Sequence, residues 1–239
     1  MKNHFRSLLF LLLLISSSCE LSKNIPPASY ASPNPTEPSY LTKSLFNFAD
    51  RTLSEEDIAQ ILNSEIKLPD TIRLAILNYS DNTSNRYYYN YWNNEEYLKL
   101  QQAYIDVFKT TLSANSQVKK IILMPKLMIG TSPNIFTLRE SAVRLQANLF
   151  LVFSIHSDIY YQYKVFKKNE AKAFATVEAL LMDVKTGIIP YSEIITRDNQ
   201  VTRTEADLND QDTQKRAENG AIYKTLEELS ARLNAYLKY

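Results

Sequence analysis

Few side chains in this 239-residue chain have the type and spacing to do chemistry. Of its two histidines, only His156 lies in the part that reads as folded. His156 and Asp158 form an i, i+2 pair, but no further ligand follows at a spacing that would complete a metal site. No glycine-rich phosphate loop, nucleophile elbow or metalloprotease pattern occurs, and three glycines in all leave little from which to build one. An enzyme is therefore not expected, and neither is a metal or small-molecule cofactor. Two other features remain. Cys19 is the single cysteine, a thiol open to acylation. Tyr87, Tyr88, Tyr89, Tyr91 and Trp92 are set among asparagines, a composition that suits contact with a protein or a sugar because amphipathic rings bind at low entropy cost. The alternative is that these rings cover a sheet edge or the helix that follows.

The surroundings of Cys19 say what its thiol is for. Lys2 and Arg6 open the chain without an acid between them, Leu8 to Ile15 is apolar, and Ser16, Ser17 and Ser18 lead to the cysteine. This is the order of a secretory signal, and the apolar run is far shorter than the roughly 20 residues a membrane-spanning helix needs. A lone thiol in an oxidising compartment has no internal disulfide partner. The segment resembles the lipobox of bacterial lipoproteins, with Ser16 where that pattern usually carries leucine. The resemblance implies cleavage before Cys19 and covalent lipid on its sulfur. Acyl chains contribute about 0.8 kcal/mol per buried methylene, so the anchor would be lasting. Glu20, in place of the aspartate associated with inner-membrane retention, implies an outer-membrane protein facing the periplasm. An ordinary secretory signal with an incidental cysteine is the competing reading.

Residues 1–18 are thus expected to be a signal peptide, 19–45 a lipidated tether and 46–239 the folded domain. The tether is dense in Pro, Ser and Asn and lacks a hydrophobic period, so it buries too little to offset its ordering entropy; loops packed on the domain are the alternative. Lys+Arg 27 against Asp+Glu 26 gives a net charge of +1, which offers no electrostatic steering toward nucleic acid.

The elements follow from periodicity. Ser54 and Asp57 mark a helix start with Ile58, Ile61 and Leu62 on one face, and "IRLAILNYS" from Ile72 reads as a strand. Glu95 to Leu112 carries apolar residues at helical spacing. "KKIILMP" is strand-like, with Pro125 demoting it to an edge. Thr137 and Glu140 suggest a capping box for a short helix bearing Leu138, Ala142 and Leu145. "ANLFLVFSIHSDIYYQYKVF" is a long strand that begins solidly apolar and then alternates, "AKAFATVEALLMDV" returns, and "IIPYSEIITRDNQV" completes a meander. A final helix presents Ile222, Leu226, Leu229, Leu233 and Tyr236. The fold class is α/β: a single domain with a mixed sheet, a C-terminal antiparallel meander and helices packed on it.

This order, together with Asp183, Thr186 and Gly187 in an Asp-x-x-Thr-Gly turn, is similar to the domain shared by the curli secretion lipoproteins, the lipoprotein activators of penicillin-binding proteins, the Pel exopolysaccharide lipoprotein and the N-terminal domain of TolB. The resemblance implies a non-catalytic envelope lipoprotein that binds a protein partner in envelope assembly or cell-wall maintenance. It also implies an alternative, an oligomeric, ring-forming secretion or export subunit. For a pore, Phe153, Ile155, Ile159, Tyr161 and Tyr163 would have to form a lipid-facing side, and Ser157 interrupts it. An enzyme acting on glycan is a third reading. The lysines at the hairpin tip, Lys164, Lys167, Lys168 and Lys172, suit either an anionic surface or plain solvation.

Overall fold

The computed structural model describes residues 54–79, 95–129 and 134–238. Cys19, the tether and the aromatic run Tyr87, Tyr88, Tyr89, Tyr91 and Trp92 lie outside the described residues. Helix α1 (Glu55–Leu62) starts where Ser54 caps it, its hydroxyl accepting from the Asp57 N–H at 3.1 Å. None of its side chains is fully buried. There follow β1 (Ile72–Asn78), α2 (Glu95–Leu112), β2 (Val118–Leu123), a 3-10 turn (Lys126–Met128), α3 (Ile135–Arg144), β3 (Leu149–Gln162), β4 (Glu170–Asp183), β5 (Tyr191–Thr202) and α4 (Asp210–Tyr236).

The five strands form one sheet in the order β2-β1-β3-β4-β5. β1 is parallel to both β2 and β3, and β3, β4 and β5 are antiparallel. The sequence pattern tracks this change of surroundings. β1 is buried from Leu74 to Leu77 on both faces, and β3 is buried at Leu149, Phe150 and Leu151, where it lies beside β1. Solid apolar sequence is what a strand covered on both sides requires. Beyond Phe153 the pairing is only with β4, and burial becomes alternating.

On the front of the sheet, α2 and α4 supply Tyr104, Phe108, Leu112, Leu226, Leu229 and Leu233 to the main core. α4 has 27 residues, about 40 Å of helix at 1.5 Å per residue, which matches the roughly 46 Å of a 14-residue strand. It lies on β4 through Ala171, Ala173, Ala175 and Ala179, all fully or nearly fully buried. Small side chains let the backbones approach closely enough for the Thr225 hydroxyl to donate to the Ala175 carbonyl at 3.2 Å. Gly220 serves the same closeness on β5, since a Cβ there would fall 2.1 Å from Asn199 Nδ2.

Two expectations are corrected. Helix α3 starts one turn earlier than a Thr137–Glu140 box would place it. Asn134 is the cap, accepting from the Phe136 and Thr137 N–H groups, and Thr137 is the residue that answers back to the Asn134 N–H. Asn134 prevails because one side chain satisfies two orphan donors. The side of β3 that a pore would turn to lipid faces the core instead: Phe153 is buried, with Ile155, Ile159 and Tyr161 packed against the cluster under the helices. Ser157, the interruption, meets α4, donating to buried Glu218 at 2.5 Å.

Candidate interaction surface

The back of the sheet is covered unevenly. The short helix α3 and the 3-10 turn pack Met124, Ile129, Ala142, Phe150, Met182 and Val184 into a second, smaller core over β1 and the adjoining ends of β3 and β4. Among the described residues no element covers the back of the remaining meander. Its strands are held in register by pairs such as Val152 with Leu180, Leu180 with Ser192, and Glu178 with Ile194. Alternation along each strand places Val152, Ser154, Glu178, Leu180, Ser192 and Ile194 on this same bare face.

These residues, with Tyr79 at the end of β1, line an open hollow of about 440 Å³. Ile194 is 70% exposed and Leu180 47%. Further along the same face Tyr160 and Phe174 meet edge to face, with ring centroids 5.8 Å apart, and Lys172 Nζ sits 4.8 Å from the Phe174 ring. Exposed apolar side chains are ordinary when scattered, but Leu180 and Ile194 adjoin Val152 in one hollow, which the polar row His156, Thr176 and Thr196 separates from the Tyr160–Phe174 pair. Tyr79 is the last described residue before the segment that holds the aromatic run.

The edge of β5 is less accommodating. The backbone groups of its even-numbered residues point away from β4, and three of those carbonyls are already occupied. Arg197 donates to Thr196, Lys224 to Asp198 and Arg216 to Thr202, at 2.7, 3.2 and 2.9 Å. Charged side chains folded over an edge are a common bar to strand addition. Arg232 spans Glu193 on β5 and Glu228 on α4 at 2.5 and 2.6 Å, and Arg197 also pairs with Glu228. These partly exposed pairs contribute little stability each.

His156 lies on the bare face, exposed, with its ring nitrogen 3.5 Å from the Ser154 hydroxyl. Asp158 stands across from Phe174. No group of His, Cys, Asp or Glu among the described residues is arranged to hold a metal ion. Asp183, Thr186 and Gly187 form the β4–β5 turn: Asp183 accepts from the Lys185 N–H at 2.8 Å and the Thr186 hydroxyl at 2.9 Å, and Gly187 has φ 86°. A positive φ is where glycine is needed, and all three residues serve the backbone of the turn.

The bare face had a signal in the sequence. In an alternating strand, Leu180 beside Leu181 and Ile194 beside Ile195 put one apolar residue of each pair on the side away from the core. Leu181 and Ile195 are buried, and their neighbours are the exposed members.

No protein-family model matches the chain, and no curated protein matches it in sequence. Solved structures do share its chain trace in part. A hypothetical protein from Chlamydia trachomatis is 14% identical over 70% of this chain and 98% of its own, with a TM-score of 0.41. A minor lipoprotein from Acinetobacter baumannii is 11% identical over 69% and 94%, with a TM-score of 0.35. The C-terminal domain of LpoB from Salmonella enterica is 18% identical over 58% and 90%, with a TM-score of 0.28. Identities and scores at this level say nothing of an activity or a partner.

Proposed function

We propose that this protein is a non-catalytic envelope lipoprotein, held at the outer membrane by lipid on Cys19, whose domain binds a protein partner in envelope assembly or cell-wall maintenance. The observation that carries the reading is the bare back of the meander. Among the described residues the front is covered by helices, while on the largely polar back the hollow around Val152, Leu180 and Ile194 leaves apolar side chains open to water. The lipobox-like segment supplies the location, and the Pro-rich tether gives the domain reach from the membrane. A ring-forming export subunit gains no support from the front of β3, which is core, or from the β5 edge, which is capped.

The test is recovery of partners from chemically crosslinked envelopes. The parent chain should bring down a specific envelope protein, and Leu180→Asp combined with Ile194→Asp should lose it at unchanged expression. Equal recovery with the double variant, or no specific protein with either, would sink the proposal.

A further inference from the structure

The hairpin between β3 and β4 ends in residues 163–169, Tyr-Lys-Val-Phe-Lys-Lys-Asn. Phe166 is 97% exposed and Val165 75%. The loop from β5 to α4 is fastened to the same end: the Arg203 N–H donates to the Asn169 carbonyl at 2.8 Å, and Asn169 Nδ2 donates to Asp210 at 3.5 Å. Between those ties Leu208 is 89% exposed. Three bulky apolar side chains from two loops therefore face water at one end of the sheet.

The charges around them are not symmetrical. Lys164 is paired with Glu170 at 2.7 Å and Lys172 with Asp198 at 3.1 Å. The carboxylates of Asp210 and Asp207 are engaged by Arg203 and Arg216. Lys167 and Lys168 have no ion-pair partner among the described residues. The tip thus carries two cations outside any ion pair directly beside its exposed aromatic ring, with Glu170, held mainly by Lys164 and more weakly by Lys167, and exposed Glu205 as opposing charges.

A protein partner would need a matching concavity to take a convex apolar tip. A bilayer interface does not, because it deforms around inserted side chains while anionic headgroups meet the ammonium groups. We infer that this tip is a second membrane contact, in which Phe166, Val165 and Leu208 enter the interfacial layer and Lys167 and Lys168 bind anionic phospholipid. The contact is separate from the acyl anchor and from the partner surface on the back of the meander, and it would orient the domain on the membrane.

Vesicle flotation tests it on residues 19–239 carrying Cys19→Ser, so that neither acyl chain nor signal sequence contributes. Binding to phosphatidylglycerol-containing vesicles should exceed binding to pure phosphatidylcholine. Lys167→Ala with Lys168→Ala should lower partitioning by about thirtyfold, from two cations near an anionic surface, and Phe166→Ser by about tenfold or more. Leu180→Asp with Ile194→Asp should leave it unchanged, which separates this contact from the partner surface. Equal binding to both lipids, parent-like binding by the tip variants with unaltered melting, or no binding at all would overturn the inference.

Discussion

Asp207 shows how single residues close this fold. Its carboxylate accepts from the Thr204 N–H and hydroxyl, the Thr213 hydroxyl, and Arg216 through Nε and Nη2, at distances from 2.7 to 3.2 Å. The Arg216 hydrogen bonds, followed by the Thr204 N–H, hold its carboxyl well below the usual value of 3.8, against the opposing effect of burial. A carboxyl depressed in the folded state adds stability above its unfolded value, and that stability is lost as pH falls toward the folded one. Asp207→Asn should therefore be less stable than the parent at neutral pH, and the gap in urea midpoint should narrow as pH is lowered below 3.8. A gap that stays constant with pH would contradict this role. The Asp183–Gly187 turn was legible in the sequence because its bonds are local. The Asp207 clamp was not, because it depends on where the first turn of α4 falls after β5.

Elements were legible wherever burial imposes a period. The order of helices and strands, the shift within β3 from solid to alternating apolar sequence, and the stripe on α4 all follow from side-chain direction. The start of α3 was misplaced by a turn because Asn134 and Thr137 are both capping residues three apart, and only the number of N–H groups each satisfies separates them. Alanine is a poor strand former, yet the alanines of β4 are the seat of α4. Replacing Ala173 with Leu should force helix and sheet apart and cost about 1–3 kcal/mol, read as a lower urea midpoint. Lys172→Leu, on the other side of the same strand, should cost much less. Equal losses would mean that the closeness of α4 to β4 does not depend on small residues.

At the scale of the whole molecule, the sheet divides its labour. The front buries the long helices, one corner of the back buries α3, and among the described residues the rest of the back and the hairpin tip are uncovered. Alternation marks the covered side on β4, where the odd-numbered residues from Ala171 to Leu181 are all apolar, but not on β5, where Glu193, Arg197 and Asn199 interrupt that side. The aromatic run Tyr87 to Trp92 follows Tyr79 by only a few residues in sequence.

Everything the domain is proposed to do happens at a membrane, and that rests on Cys19. Labelling cells with a radioactive or alkyne-bearing fatty acid, followed by fractionation of the parent and Cys19→Ser, is the most direct measurement. The parent should carry label and sediment with the outer membrane, while Cys19→Ser should lose the label and accumulate as uncleaved precursor or as soluble protein. An unlabelled parent, or a Cys19→Ser variant processed and localised like the parent, would contradict the account.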